Sequence, residues 1–261
     1  MKKHILTACL LTATALAQGP LTPPGAPAPT MKTLEQLWTV LTNQQAQVLS
    51  LQSQVLSLQS QVQQLQLFHA GSVQLAWLLS RVDTTGSVGL FTSLAFGPDG
   101  QPAISYYEST NLDLKFARFT GTTWALQTVD AAGFVGRYTS LAFGSDGQPA
   151  ISYQDFTNGD LKFARFTGTT WALQTVDATG DVGQYTSLAF GPDGQPAISY
   201  YDATNADLKL ARFTGSTWNI QTVDSPGNVG QDTSLAFGPD GQPAISYYDG
   251  TNGDLKFARF T

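Results

Sequence analysis

The residues best suited to chemistry in this chain are pairs of tyrosines that precede an aspartate. The order Tyr-Tyr-Asp-x-Thr-Asn-x-Asp begins at Tyr200 and again at Tyr247. Aromatic faces stack on sugar rings, and carboxylates and amides exchange hydrogen bonds with hydroxyls, so the pattern predicts binding of a glycan or another surface ligand. The predicted ligand-binding residues are Tyr106, Tyr107, Tyr153, Asp155, Tyr200, Tyr201, Asp202, Tyr247, Tyr248 and Asp249. The alternative is structural: the tyrosines pack between repeated units, and each Asp stabilises a turn.

The same loops carry oxygen ligands at relative positions one, four and six. They are Asp202, Asn205 and Asp207 in one loop and Asp249, Asn252 and Asp254 in another. Such hard oxygens suit Ca²⁺, but the spacing lacks the denser acidic pattern of an EF-hand loop. Residues two apart on a strand share a face, so Asp207 can also pair with Lys209. We therefore predict no cofactor and no metal, with calcium at these two loops as the alternative.

Catalytic side chains are scarce beyond residue 69. No His or Cys follows His69, and Glu108 is the only Glu of the repeated part. Histidine-based triads and thiolate chemistry are therefore excluded there. Acid–base catalysis by aspartates stays open. Because the repeated units are nearly identical, they argue against a single catalytic centre, and we predict that the protein is not an enzyme.

The charge balance argues against nucleic acid as a partner. The 261 residues carry 13 Lys and Arg against 19 Asp and Glu, a net charge of −6. Loss of residues 1–17, which include Lys2 and Lys3, would bring the net charge to −8. Such an acidic surface repels a polyanion. No stretch after residue 17 approaches the ~20 apolar residues of a membrane span.

Residues 1–17 have the organisation of a secretory signal peptide. A basic start is followed by an apolar run and by the small-residue end Ala15-Leu16-Ala17. Cleavage there predicts a secreted or cell-surface protein, and it removes Cys9, the only cysteine. Leu6-Thr7-Ala8-Cys9 resembles the lipobox of bacterial lipoproteins, which makes lipidation the alternative.

Residues 18–33 are predicted to be a proline-rich linker, and residues 34–68 a helical stalk. Residues 19–36 also resemble a leader found in secreted, surface-type proteins of environmental bacteria. Apolar residues recur at alternating steps of three and four along the stalk, which is a heptad seam. Val at the a positions and Leu at the d positions favour a parallel coiled-coil dimer, with a trimer as the alternative. A further alternative is that the helix packs on its own globular domain.

A unit of 47 residues begins at Thr92, Thr139, Thr186 and Thr233. Self-similarity at a fixed period indicates duplication of one structural unit. In the unit that begins at Thr186, turn signals separate four segments suited to strands: TSLAFG, PAISYYD, LKLARFTG and TWNIQTVD. An Asp-Gly pair between the first two segments is a strong hairpin signal. Three successive hairpins predict one antiparallel sheet of four strands.

A repeated four-stranded sheet of about 40 to 50 residues with a recurring tryptophan is typical of β-propeller blades. We predict an all-β fold over residues 69–261, a four-bladed β-propeller, preceded by the α-helical coiled-coil stalk. The unit that begins at Thr233 lacks a fourth strand, and residues 75–83 repeat the pattern of that strand, so they are predicted to close the ring. The alternatives are an open β-solenoid array and a strand that completes a blade of a neighbouring chain.

Two propeller families resemble this arrangement. The 47-residue period resembles that of tachylectin-2-like lectin propellers, which have five blades, and a ring of four blades resembles the hemopexin-like type in size. Both resemblances imply a propeller. The first one also implies carbohydrate binding.

Acidic residues are concentrated on one predicted face. Of the 18 acidic residues after His69, 14 lie in or beside the loops that join second to third strands or link consecutive units. Because binding residues concentrate on loops held by a rigid scaffold, this face is the predicted site. We predict a secreted, non-catalytic protein that binds glycans or another surface ligand multivalently, with avidity from the stalk. The alternatives are a structural module of the cell surface and a hydrolase or lyase.

Overall fold

The computed structural model of the protein describes residues 33–69 and 78–261. The predicted signal peptide lies outside these residues, and so does the predicted linker apart from Thr33. The chain divides into two compact units after Leu78.

The first unit contains one long helix, α1 (Leu34–His69). Thr33 caps it: the Gln36 amide donates to Thr33 Oγ1 at 3.3 Å, and the Thr33 amide donates to Gln36 Oε1 at 3.0 Å. This reciprocal pair is a capping box. The predicted helix is confirmed, whereas its pairing with a second helix stays a prediction. No helix in the described residues has both the length and the apolar character needed to cross a membrane.

The second unit contains 15 strands in four antiparallel sheets, with the strands of each sheet in chain order. The first sheet contains β1 (Val88–Phe96), β2 (Pro102–Glu108), β3 (Asp113–Phe119) and β4 (Trp124–Asp130). The second sheet contains β5 (Val135–Phe143), β6 (Pro149–Asp155), β7 (Asp160–Phe166) and β8 (Trp171–Asp177). The third sheet contains β9 (Val182–Phe190), β10 (Pro196–Asp202), β11 (Asp207–Phe213) and β12 (Trp218–Asp224). The fourth sheet contains β13 (Val229–Phe237), β14 (Pro243–Asp249) and β15 (Asp254–Arg259).

The first strand of each sheet is longer than the sequence pattern predicts. In the second sheet, β5 begins at Val135, four residues before the repeated unit that starts at Thr139. Its pairing with β6 shifts register on both sides of Arg137, and Tyr138 has a φ of 53°. An extra residue of this kind is a β-bulge, which bends a strand without ending it. The strand therefore continues back to the valine.

Successive sheets pack face to face around apolar cores. β1 contacts β5, β5 contacts β9, and β9 contacts β13. At the first junction Leu114 of β3 is buried with Leu141 of β5, and Leu161 and Leu188 repeat this pair at the second junction. The middle sheets thus bury both faces, as the blades of a β-propeller do. The prediction of repeated, propeller-like sheets is confirmed.

The two ends of this series of sheets are not joined. Leu94 of β1 is 60% exposed and Leu255 of β15 is 84% exposed. Residues 78–83 form no strand, and within the described residues β15 pairs with β14 alone. The predicted closure of the ring by residues 75–83 is thus not seen in the described part of that segment. Asp83 instead lies against the first sheet, where it accepts a hydrogen bond from the Tyr106 hydroxyl at 2.7 Å.

Candidate functional site

The first tyrosine of each predicted binding loop is buried beside the preceding segment of the chain. These tyrosines are Tyr106, Tyr153, Tyr200 and Tyr247, and each is at most 4% exposed. Their hydroxyls each donate at 2.7 Å to an aspartate, in the order Asp83, Asp130, Asp177 and Asp224. Burial, together with the neighbouring carboxylate, raises the pKa of Tyr153 and Tyr200 far above the usual range. Each of these tyrosines links its sheet by a hydrogen bond to the aspartate of the preceding segment. Because the rings are buried, they offer no open face to a ligand.

The second tyrosines are also mainly structural. Tyr107 is buried and stacks on Phe134 with 5.4 Å between the ring centroids. Tyr201 is buried and its hydroxyl donates to Asn228 Oδ1 at 2.8 Å. Tyr248 keeps 40% of its surface exposed. Among the tyrosines of the predicted site, Tyr248 alone is therefore exposed enough for its ring to contact a ligand.

The aspartates of the predicted site stabilise turns from buried positions. Asp155, Asp202 and Asp249 are at most 3% exposed. Asp202 Oδ1 accepts from the amides of Thr204 and Asn205, and its Oδ2 accepts from Asn205 Nδ2 at 2.9 Å. This is the Asx-stabilised turn named as the structural alternative. Both carboxylate oxygens thus have donors, and the described residues contain no group of three His, Cys, Asp or Glu placed to hold a metal ion.

Partly buried lysines add ion pairs to these junctions. Lys162 Nζ lies 2.5 Å from Asp130 Oδ2, and Lys209 Nζ lies 3.0 Å from Asp177 Oδ2 and 3.2 Å from Asp202 Oδ2. The predicted pairing of Lys209 with Asp207 is corrected, because the lysine reaches across the junction instead. Burial opposes ionisation of Asp177, but hydrogen bonds from the Tyr200 hydroxyl and from Lys209 outweigh it and lower the pKa of Asp177.

Carboxyl groups with opposite pKa shifts predict opposite effects on stability. Asp177, with its lowered pKa, stabilises the fold above the unfolded pKa of about 3.9, and this contribution is lost as the pH falls through the folded pKa. Burial and the Asp202 charge raise the pKa of Asp207, so its ionisation destabilises the fold near neutral pH. We expect Asp207→Asn to raise Tm at pH 7 and Asp177→Asn to lower it, as measured by circular dichroism.

The pH dependence separates this electrostatic effect from a packing effect. At about pH 3 Asp207 is protonated in the folded and the unfolded state, so the gain from Asp207→Asn should disappear. The pKa of Asp160 is also raised, by burial first and then by the Asp155 charge, so Asp160→Asn serves as the replicate. An increase in Tm that is equal at pH 7 and pH 3 would contradict the expectation.

A cavity of about 340 Å³ lies where the first strands of the four sheets converge. It is lined by one residue of positive φ from each sheet and by the threonine that follows it: Phe91, Thr92, Tyr138, Thr139, Tyr185, Thr186, Asp232 and Thr233. The hydroxyl of Thr139 donates to the Phe91 carbonyl, and Thr186 repeats this bond with Tyr138. Backbone strain of this kind clusters at functional sites. Here the strained residues already join successive sheets, so the strain has a structural explanation.

Clefts open between successive sheets at the other end of the strands, beside the Asp-Gly hairpins. The cleft between the second and third sheets, named here the second-junction cleft, has a volume of about 220 Å³. Its main lining residues are Phe163, Arg165, Gln174, Phe190, Gln195, Phe213 and Trp218. None of them belongs to the site predicted from the sequence. The cleft combines aromatic rings, a cation and amide groups in one place.

Contacts with neighbouring side chains hold the tryptophan and the arginine of the second-junction cleft in place. The Trp218 ring lies edge to face on Phe163 at 5.2 Å, and its Nε1 donates to Gln174 Oε1 at 3.2 Å. The Arg165 guanidinium lies 4.9 Å above the Phe190 ring. Nη1 of Arg165 is buried and donates to no oxygen of the described residues. Orphaned donors are rare in folded proteins and call for a structural or functional reason.

The first junction repeats the arrangement. Trp171 lies edge to face on Phe116 at 5.1 Å and donates from Nε1 to Gln127 Oε1 at 2.8 Å. Arg118 lies 4.7 Å above Phe143, and its Nη1 is likewise without an acceptor in the described residues. A third cleft, of about 270 Å³, lies between the third and fourth sheets and contains no tryptophan. The first and second junctions thus share one full set of groups.

Sequence reasoning used the tryptophans only as markers of a blade. Trp171 and its partner Gln127 are 44 residues apart, on the last strands of two successive sheets. The signal that could have found the cleft is the recurrence of Trp, Arg and Gln at the same 47-residue spacing. That recurrence becomes a site only when neighbouring sheets are placed side by side.

No protein-family model and no curated protein match the sequence. A protein of unknown function from Dyadobacter fermentans is similar in structure, with a TM-score of 0.51 and 14% identity over 65% of this chain and 60% of that one. A mutant of AofleA from Arthrobotrys oligospora, in which three arginines are replaced by alanine, has a TM-score of 0.51 and 18% identity over 65% and 53%. A fucose lectin from Kordia zhangzhouensis has a TM-score of 0.36 and 19% identity over 50% of this chain and 96% of that one. The similarity shows the fold alone, and this chain spans little more than half the length of the first two proteins.

Proposed function

We propose that the protein is a non-catalytic binding protein that takes small, hydroxyl-rich ligands of the saccharide class in the clefts between its sheets. The observation that carries the proposal is the joint presence, at two successive junctions, of an indole ring, a guanidinium stacked on a phenyl ring, and a glutamine. Aromatic rings suit the apolar face of a sugar, and Arg and Gln suit its hydroxyls. A few convergent polar groups in an aromatic cleft are typical of a ligand site.

The position of the proposed site differs from the one expected from the sequence. Apart from Tyr248, the tyrosines of the acidic loops are buried, and their aspartates cap turns. The residues of the second-junction cleft keep open space beside them. The ligand class is therefore retained, while the site moves to the face with the Asp-Gly hairpins. No metal is proposed, since the oxygens of Asp202 already have donors.

Repetition of these side chains at two junctions supports multivalent binding. Linked sites on one scaffold raise the overall affinity for a surface that presents many copies of a ligand. The heptad seam of α1, whose side chains Leu51 and Val55 are exposed, supports self-association as a coiled-coil dimer or trimer. The signal pattern of residues 1–17 supports export. The proposed protein thus acts outside the cell or on its surface.

Removal of the two indole rings tests the proposal. We expect wild-type protein to bind saccharides on a glycan array, and the double variant Trp171→Ala/Trp218→Ala to lose at least about tenfold in affinity, equivalent to about 1.4 kcal/mol. The reason is that each substitution removes the flat surface on which a sugar ring would stack. Isothermal titration with the best saccharide should show one site fewer per chain for Trp218→Ala alone.

Matched variants separate a lost site from a lost fold. Trp218→Phe keeps a ring and is expected to restore part of the affinity, and thermal melts show whether each variant is folded. Tyr248→Ala, in the loop face at the other end of the strands, should leave binding unchanged. Binding that survives Trp171→Ala/Trp218→Ala but is lost in Tyr248→Ala would return the site to the acidic loops. Absence of wild-type binding to every saccharide tested would contradict the proposed function.

A further inference from the structure

The two outer faces of the series of sheets are apolar and uncovered. The first sheet exposes Leu94 and Phe96 on its outer face. The fourth sheet exposes Leu255 and Phe257 on its outer face. Large apolar side chains grouped in this way mark an interaction surface.

The internal junctions show what covers each of these faces. The counterparts of Leu94 are at most 7% exposed: Leu141, Leu188 and Leu235. The counterparts of Leu255 are fully buried: Leu114, Leu161 and Leu208. At every junction the face equivalent to the first one packs on the face equivalent to the last one. The two uncovered faces are therefore the complementary halves of one further junction.

Hydrogen bonds fix the register of each internal junction. A serine hydroxyl of one sheet bonds a threonine hydroxyl of the next at 2.6, 2.8 and 2.7 Å, in the pairs Ser105–Thr139, Ser152–Thr186 and Ser199–Thr233. A backbone amide of the later sheet also donates to a serine of the earlier one at 3.0, 3.0 and 2.9 Å. The next pair of the series would join Ser246 of a fourth sheet to Thr92 of a first sheet. Neither makes this bond within the described residues.

The chain's own first sheet does not reach its fourth sheet by this junction. The three internal junctions have the same contacts and nearly the same distances, so each rotates the next sheet by a similar amount. After three such rotations Leu94 and Leu255 are still exposed. A further junction of the same geometry therefore requires a first sheet from elsewhere. We propose that the fourth sheet of one copy docks, head to tail, on the first sheet of a second copy.

Residues 78–83, which precede the first sheet, also have a place in the docked pair. At the first internal junction β4 ends in Asp130, which accepts from Tyr153 of the following sheet at 2.7 Å. Asp83 accepts from Tyr106 in the same way. In the docked pair, residues 78–83 of the second copy therefore lie beside β15, the edge where the other sheets have their fourth strand. Pairing there would remove an exposed sheet edge.

Disulfide trapping on the full chain tests the proposal. Cysteines replace Thr92 and Ser246 in a chain that also carries Cys9→Ser, and the oxidised protein is analysed by non-reducing electrophoresis and mass spectrometry. In the variant Thr92→Cys/Ser246→Cys we expect a disulfide that joins position 92 of one chain to position 246 of another, seen as covalent dimers or larger species. Mixing the single variants Thr92→Cys and Ser246→Cys should give a linked heterodimer, whereas each single variant alone should not link.

The internal junction provides the matched control. Ser152→Cys/Thr186→Cys should form its disulfide within one chain, with no change in mass other than the loss of two hydrogens. A disulfide within one chain for the 92/246 pair would show that the four sheets close on themselves and would overturn the proposal. The absence of any 92/246 disulfide, when the 152/186 control forms one, would overturn it too. None of these readouts depends on saccharide binding.

Discussion

Asp130→Ala is expected to lower the free energy of unfolding by about 3–5 kcal/mol, the usual effect of removing one partner of a buried ion pair. Asp130 Oδ2 accepts from Lys162 Nζ at 2.5 Å and from the Tyr153 hydroxyl at 2.7 Å. The substitution leaves the Tyr153 hydroxyl buried and the largely buried Lys162 ammonium without its nearest carboxylate. The next carboxylate, Asp155, lies 3.9 Å from Lys162 Nζ. Urea unfolding followed by circular dichroism measures the change.

Two further substitutions are expected to lower the free energy of unfolding by less than Asp130→Ala. Asp177→Ala removes the equivalent group, but Lys209 keeps Asp202 at 3.2 Å, so a smaller loss is expected. Asp146→Ala breaks an exposed pair with Arg165 at 2.5 Å, and such pairs contribute about 0–1 kcal/mol. If Asp130→Ala and Asp146→Ala had equal effects, the buried network would not be what joins the first and second sheets.

The strands were predictable because the period of the repeat and the turn residues agree at every copy. The predicted segment PAISYYD corresponds to β10, and the Asp-Gly pairs form the hairpins before β2, β6, β10 and β14. The start of each first strand was missed. A bulge at Tyr138 lets β5 reach back to Val135, and the alternation of apolar residues does not reveal an extra residue in a strand.

The burial of the tyrosines could not be predicted from one repeat. Tyr200 and Tyr201 are adjacent and so point to opposite faces of β10, which suggests that at least one faces solvent. In the structure the Tyr200 hydroxyl bonds Asp177 of β8 in the preceding sheet. The Tyr201 hydroxyl bonds Asn228 in the loop before β13. Coverage on both faces comes from the junctions, which bring Tyr200 to a residue 23 positions before it and Tyr201 to a residue 27 positions after it.

The same reasoning explains why the clefts were missed. Arg165 and Trp218 come from different repeats, and each has a local explanation within its own strand. Arg165 can pair with Asp146 of its own sheet, and Trp218 can pack on Phe213 of its own sheet. Their common cleft follows only from the packing of the second sheet on the third.

Gly183→Ala is expected to lower the free energy of unfolding by about 2–5 kcal/mol. Gly183 has a φ of +85°, and a Cβ there would lie 2.8 Å from Leu161 Cα of the preceding sheet. The left-handed backbone accounts for about 1–2 kcal/mol. Overpacking against a backbone atom adds about 1–3 kcal/mol, because neither sheet can move without opening the junction. Urea unfolding measures the sum.

Gly89→Ala separates these two contributions. Gly89 occupies the same place in the first sheet with a φ of +93°, but a Cβ there would meet nothing within 4 Å. Only the backbone contribution of about 1–2 kcal/mol should therefore appear. Equal losses for Gly89→Ala and Gly183→Ala would show that the junctions tolerate an extra carbon. In the docked pair, Leu255 of one copy would lie beside Gly89 of the second copy, as Leu161 lies beside Gly183. Gly89→Ala should therefore also reduce the 92/246 disulfide while the 152/186 disulfide still forms.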